Sequence, residues 1–418
     1  MSSSESQTRK LRDVCTKIGS GATPRGGKET YSVEGPYALI RSQNVLDFSF
    51  SYDGLAYIDD EQARQLANVE IQERDVLLNI TGDSVARVCQ VPKELLPARV
   101  NQHVSIVRPD FSQLLPEYLK YFLLNLPFKN YMLGLASVGG TRNALTKGMI
   151  EDFEIPLPSL PTQRRIADIL STLDEKIDLN RQTNATLEAI AQAIFKEWFV
   201  DFNFPGAPSS GSGGEMVESE LGPIPSGWRV GKLGDILYIK GGTTPSTSIE
   251  KFWNGEHYWA TPKDLSNLNS PILLATERRI TDEGVKQISS GILPPGTLLL
   301  SSRAPIGYLA ISDVPVSINQ GFIAINAKET SNLFILHWLK ENMETVISRA
   351  NGSTFLEISK SNFRNIELVI PSEQISQMFD DFVVAIFEQI KTNEQETANL
   401  AALRDNLLPK LMNGEIPV

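Results

Sequence analysis

The stretch TRNALTKGMIEDFEIPLP (Thr141 to Pro158) lies without a gap on TFLEISKSNFRNIELVIP (Thr354 to Pro371) at a constant offset of 213, so that Thr141, Lys147, Glu154 and Pro158 fall on Thr354, Lys360, Glu367 and Pro371. A fixed offset over a whole stretch is the mark of an internal repeat, and a repeat governs every other reading of a chain. The same offset continues downstream. Ile166, Leu170, Leu173, Ile177, Asn180, Asn184, Leu187, Ala191, Ile194 and Trp198 follow one another at steps of 4 and 3, the spacing of a coiled-coil seam. The matching positions are Phe379, Val383, Ile386, Ile390, Asn393, Thr397, Leu400, Arg404, Leu407 and Leu411, and both copies turn polar in mid-seam. Each seam predicts a helix of about 40 residues, roughly 60 Å long at 1.5 Å per residue. Equal length and a shared polar centre predict an antiparallel pair with Asn180 near Asn393, because a buried polar seam residue costs stability and fixes register. Pro409 is expected to fray or kink the second helix close to its end.

Upstream, the order of features is also duplicated. LRDVCTKIGSGATP (Leu11 to Pro24) resembles LGDILYIKGGTTP (Leu233 to Pro245), DVLLNITGDSVARV (Asp75 to Val88) parallels GTLLLSSRAPIGYL (Gly296 to Leu309), and Asn101-Gln102 parallels Asn319-Gln320. Between the copies, Phe202 to Trp228 is rich in Gly, Ser and Pro without apolar periodicity and reads as a flexible linker. Five segments follow: a body over 1–158, a helix over 159–200, a linker over 201–231, a second body over 232–371 and a second helix over 372–412. Short β-rich runs (Val76 to Ile80, Val104 to Val107, Thr297 to Leu300, Phe322 to Ile325) mix with helical stretches at Pro116 to Leu124 and Ser331 to Met343, so each body reads as α+β.

Composition narrows the class. The chain has 418 residues, 41% hydrophobic and 21% charged, which is ordinary globular composition with material for more than one core. No apolar run is long enough to span a membrane, and the first residues, MSSSESQTRKLRD, lack the apolar stretch of a signal peptide, so a cytoplasmic location is expected. Cys15, Cys89, His103, His257 and His337 match no zinc-ligand spacing, which predicts no structural metal and no disulfide framework. The net charge is −11, yet segments 162–200, 201–231 and 372–418 carry −9 of it. Both bodies are close to neutral, a composition that permits a local basic face without demanding one.

No catalytic motif is found. Gly21 to Gly26 has the gap of a phosphate-binding loop, but Gly27 stands where its lysine belongs. No G-x-S-x-G elbow, no dinucleotide fingerprint and no amino-methyltransferase tetrapeptide occurs. Asp110 with Asp174-Glu175-Lys176 is a poor metal site, since the latter group falls on the seam helix and suits a solvated helix face. Residue types that read base edges, Arg for guanine and Asn or Gln for adenine, instead gather in turns. In the first body the candidates are Arg41, Gln43, Asn44, Arg87, Asn101, Gln102, His103, Thr141, Arg142 and Lys147. At corresponding places the second body has Thr261, Lys263, Ser302, Arg303, Asn319, Gln320, Ser353, Thr354 and Lys360. Any one of these is as well explained as a turn former or cap; their recurrence with changed identity favours recognition.

Together with the repeat and the helix pair, the phrases IPLPSLPTQRRIADILSTLDEKIDLN, AIFKEWFVDF and ELGPIPSGWRVGKLGDI resemble the specificity (S) subunit of type I DNA restriction-modification enzymes over nearly the whole chain. The second copy departs by having Pro371-Ser-Glu-Gln in place of Pro158-Ser-Leu-Pro-Thr-Gln, without a counterpart of Arg164-Arg165. The resemblance implies a non-catalytic subunit whose two bodies are target recognition domains, each reading one half of a bipartite site in double-stranded DNA. It implies that the helix pair sets the spacing and docks two methyltransferase (M) subunits, which restriction (R) subunits join. It places S-adenosylmethionine in the M subunits, ATP and magnesium in the R subunits, and no cofactor in this chain.

Overall fold

The computed structural model describes residues 7–24, 26–27, 31–137, 143–206, 215–266, 268–352 and 356–418. The chain divides into two compact units, residues 1–177 with 399–418, and residues 178–398. The five segments read from the sequence therefore regroup: each unit holds one body together with part of both long helices.

In the first unit, Gln7–Lys10 pairs antiparallel with Glu154–Leu157. A four-stranded antiparallel sheet has the order Cys15–Ser20, Val104–Pro109, Val76–Asn79, Val88–Gln90. A three-stranded sheet places Tyr37–Ile40 between Ala56–Ile58 and Ala98–Val100, the latter pairing being parallel. The central strand Val76–Asn79 is buried at all four positions, which is why its sequence VLLN does not alternate. Asn79 pairs its amide there, donating to the carbonyls of Ser42 (2.8 Å) and Val45 (3.2 Å). Pro116–Leu124 starts with its proline in the first turn, where the missing N–H costs nothing, and buries eight of its nine residues.

The second unit repeats this plan. Arg229–Lys232 pairs with Glu367–Ile370. A five-stranded sheet runs Leu237–Gly241, Phe322–Ala327, Leu298–Ser302, Ile306–Ser312, Ile272–Leu273, and a three-stranded sheet holds Trp253–Ala260 between Arg278–Ile280 and Val316–Ile318. Ser331 caps the helix Asn332–Glu341, its hydroxyl accepting from the Phe334 N–H at 2.9 Å. The linker reading is corrected here. Met216–Val217 pairs with Ile224–Pro225, the rings of Phe202 and Phe204 lie 5.5 and 5.2 Å from that of Trp228, and Ile224 and Trp228 are buried. Three aromatic side chains supply packing that the Gly, Ser and Pro around them conceal. Residues 207–214 of that segment lie outside the described residues.

Leu160–Phe199 and Glu373–Met412 are helices of 40 residues each. In the second unit the Asn393 amide donates to Asn184 Oδ1 at 2.8 Å, and the Asn180 amide lies 3.4 Å from both the Asn393 carbonyl and the Thr397 hydroxyl. Ile194 and Trp198 of the expected seam are only half-buried, whereas Phe195 and Phe199 are buried among Phe334 and Phe379. In the first unit Leu173 is half-buried and the adjacent Asp174 is the buried residue. The second helix continues through Pro409 to Met412, with Leu408 and Leu411 in the core of the first unit. Among the described residues no helix is long and apolar enough to cross a membrane.

Candidate nucleic-acid interface

Several of the candidate residues converge in the first body. The Asn44 carboxamide accepts from the Arg41 N–H (3.0 Å) and donates to the carbonyls of Ser51 and Asp53, closing the turn Arg41-Ser42-Gln43-Asn44. The Asn101 backbone N–H joins that strand end at the Ile40 carbonyl (3.0 Å), and its side chain accepts from the His103 N–H (3.0 Å). His103 and Leu145 meet on Ile80, whose N–H donates to the His103 carbonyl and whose carbonyl accepts from the Leu145 N–H. Gly21 crosses the strand Ala98–Val100 so closely that a Cβ there would fall 1.7 Å from the Val100 carbonyl oxygen. That approach sets Thr23 against Gln102, its hydroxyl donating to Oε1 at 2.6 Å.

The second body has the same arrangement with different residues. Asp264 accepts from the Thr261 N–H (2.8 Å) where Asn44 accepts from Arg41. Asn319 donates its N–H to Ala260 (3.1 Å) and accepts from the Gly321 N–H (2.8 Å). The Ser302 N–H donates to the Gly321 carbonyl, and the Ile358 N–H donates to Ser302. Gly242 would bring a Cβ to 1.9 Å from the Ile318 carbonyl oxygen, and the Thr244 hydroxyl donates to Gln320 Oε1. One correction of register follows. Strand pairing places Asn79 opposite Val104 and Ser301 opposite Phe322, so Arg303 occupies the place of Thr81, one residue further than the ungapped parallel of Asp75 with Gly296 indicates. The shift is present from the first paired residues, Val76 with Val107 and Leu298 with Ile325.

The candidates sort by exposure. Asn44 (0% exposed) and Asn101 (5%) are buried and accept turn N–H groups with their side chains, and Ser302 (3%) is buried with its backbone in the turn; the three shape the site and are withdrawn as groups that touch a base. Gln43, Lys147, Lys263, Gln320 and Lys360 are exposed, and Arg41, Arg87, Gln102, His103, Thr261, Arg303 and Asn319 are half-buried. Asn319 uses its Oδ1 as Asn101 does. Thr141, Arg142, Ser353 and Thr354 lie outside the described residues.

Several of the cations rest on surface carboxylates: Lys147 on Glu151 (3.4 Å), Lys263 on Glu277 (2.8 Å) and Arg303 on Glu357 (3.6 Å). The bond to Glu277 holds the Lys263 ammonium above its usual range. Exposed pairs of this kind are screened by solvent and contribute little, so a phosphate can displace the carboxylate at little cost. Arg41 donates to the Gly54 carbonyl and lies over the Tyr31 ring, and Gln43 reaches Asp53 and Gly54. Lys360 lies against Gly241, where a Cβ would meet its Nζ at 2.7 Å. Thr23 and Thr244 were not singled out from the sequence, although the recurrence of Thr23-Pro24 as Thr244-Pro245 was visible there. Among the described residues no group of three His, Cys, Asp or Glu side chains is placed to hold a metal.

Comparison with known proteins gives three findings. The model of a family described as type I restriction modification DNA specificity domain matches residues 3–189 and again residues 225–401. The chain is 27% identical to the type I restriction enzyme HindI specificity subunit of Haemophilus influenzae, over 90% of this chain and 94% of that one; it is 39% identical to the MjaIX specificity subunit of Methanocaldococcus jannaschii, over 44% of this chain and 43% of that one. In fold it is similar to the type I restriction-modification S subunit from M. genitalium, with a TM-score of 0.56 at 15% identity, covering 97% of this chain and 95% of that one.

Proposed function

Because the chain belongs to the type I restriction modification DNA specificity family, we propose that each of its two bodies reads one half of a bipartite target in double-stranded DNA. The chain is a recognition subunit of a restriction-modification system and supplies no catalytic group. The observation that carries the two-half reading is the duplicated turn cluster: the residues that build it keep their roles (Asn44 and Asp264, Asn101 and Asn319), while others around it change (Gln43 and Lys263, Thr81 and Arg303). A common scaffold with altered edge chemistry is what reading two unlike sequences requires.

The two long helices act in this reading as an antiparallel coiled-coil spacer that fixes the distance between half-sites, as dimer geometry does in other DNA readers. The helix pair also docks two methyltransferase subunits, which bring S-adenosylmethionine, and restriction subunits join them with ATP and magnesium. Because neither body is basic, most of the phosphate neutralisation falls to those partners, and the chain alone binds DNA weakly at physiological salt.

The test is an exchange of residues 1–158 for the corresponding part of another family member, in cells that also express the methyltransferase subunit, followed by mapping of methylated adenines across the genome. One half of the methylated motif should change while the other half and the gap persist. A motif changed in both halves, or in neither, removes the reading.

A further inference from the structure

In the first body Gln102 belongs to a chain of four hydrogen-bonded side chains. Gln102 Nε2 lies 3.0 Å from His103 Nε2, and His103 Nδ1 lies 2.6 Å from the Thr81 hydroxyl. An amide nitrogen only donates, so the ring Nε2 accepts; the neutral imidazole then carries its proton on Nδ1 and donates it to Thr81. At the other end Gln102 Oε1 accepts from Thr23 at 2.6 Å. The chain uses one amide N–H and one oxygen lone pair. Gln102 is half-buried, and its second N–H and second lone pair have no partner among the described residues. A donor and an acceptor on one amide match the N7 acceptor and N6 donor that adenine shows in the major groove. Guanine offers two acceptors there, cytosine a donor, and thymine an acceptor beside a methyl group.

The second body lacks the middle of this chain. Gln320 Oε1 accepts from Thr244 in the same way, but the residue after it is Gly321, whose Cβ position is hemmed in by Pro262 Cγ at 3.0 Å and Asn319 Oδ1 at 3.1 Å. A hydroxyl both donates and accepts, so Thr244 alone holds an amide in either orientation. A second contact, made by His103 in the first body, is what fixes the plane of the amide.

We propose that the first body reads an adenine in its half of the target through the amide of Gln102, and that His103, backed by Thr81, is the positioning residue that fixes the plane of this amide. This rests on the two-half reading above. Fixing the amide before DNA arrives removes an ordering cost from the correct base and leaves the wrong bases facing a misplaced donor or acceptor.

Thr81→Val keeps the shape of that side chain while removing the hydroxyl, and His103→Gly gives the first body the residue that the second body has at the same place. Each variant is expressed as the full chain with its methyltransferase partner, and methylated adenines are mapped. Both should relax the preference for adenine about tenfold at one position of the half governed by residues 1–158, the discrimination of one bidentate contact, and leave the other half and the gap unchanged. A half-site without such an adenine, an unaltered preference in both variants, or loss of all methylation by a variant whose melting profile matches the parent would each overturn the assignment. Failure of the domain exchange removes the parent reading; a successful exchange with unaltered variants removes this one alone.

Discussion

Asp174 and Arg404 form a buried ion pair, with Nη1 2.8 Å from Oδ1 and each side chain 10% exposed. The carboxylate also accepts from the Tyr121 hydroxyl at 2.6 Å and faces Lys120 at 3.4 Å, while the guanidinium lies 3.4 Å above the Phe48 ring. Burial together with Asp174 pushes the Tyr121 phenol above its usual range, so it remains a donor. Arg404 holds a seam position whose counterpart in the first helix is Ala191, so the two copies are not interchangeable here. Removing one member of a buried pair strands the other in low dielectric. Arg404→Met should cost about 3 kcal/mol in urea unfolding, and Arg404→Lys about 1 to 2, because an ammonium cannot reproduce the fork to Asp174 and Asp405.

The seam of the second unit is closed by neutral amides. Asn393 donates to Asn184 at 2.8 Å with both residues buried. Asn393→Leu alone leaves the Asn184 oxygen without that donor and should cost about 1 to 3 kcal/mol. The double variant Asn184→Leu with Asn393→Leu removes both partners and should recover most of the loss, at the expense of register. A double-mutant cycle read by denaturant midpoints checks this; additive losses would mean that the amides do not act on each other.

Much of this architecture was legible because the repeat is periodic. A constant offset from Thr141 to Trp198 aligned two helices and two strand ends without knowledge of either. What escaped was set by packing across sequence distance. Phe195 displaces Ile194 from the buried face because Phe334 and Phe379 come from elements more than 130 residues away, and a heptad count has no access to them. Asn44 and Gln43 are adjacent residues of similar polarity, and only the turn geometry buries the first and exposes the second. The one-residue slip at Arg303 is present from the start of the strand, where Val76 and Leu298 take equivalent partners in Val107 and Ile325, and only the pairing reveals it.

His337 sets a pH dependence of stability. Burial, with a smaller effect from the Lys340 ammonium, holds its imidazole down to about 3, and the neutral ring is hydrogen-bonded to Gln192 at 2.9 Å through Nδ1. The unfolded chain takes up the proton near the ordinary value of 6.5 and the folded chain does not, so stability is full above 6.5 and falls as pH drops toward 3. Between pH 8 and pH 5, above the range in which most carboxylates titrate, the loss should be about 2 kcal/mol. His337→Gln should flatten that part of the profile of urea midpoint against pH. An equally steep variant would assign the dependence elsewhere.

Gly241 and Gly242 are neighbours with opposite tolerance. A Cβ on Gly242 would fall 1.9 Å from the Ile318 carbonyl oxygen, which is strand backbone and cannot move without breaking the pairing of Val316–Ile318 with Trp253–Ala260. On Gly241 the nearest atom is Lys360 Nζ at 2.7 Å, the free end of a flexible side chain that can swing aside. Gly242→Ala should therefore cost about 3 kcal/mol, as overpacking against fixed atoms does, and Gly241→Ala less than about 1 kcal/mol. Hydrogen exchange locates the damage. In Gly242→Ala, amides of Leu237–Gly241 and Val316–Ile318 should exchange faster while those of Cys15–Ser20 keep their protection. The equivalent change Gly21→Ala, 1.7 Å from the Val100 oxygen, should reverse that pattern, because the same crossing is built once in each body.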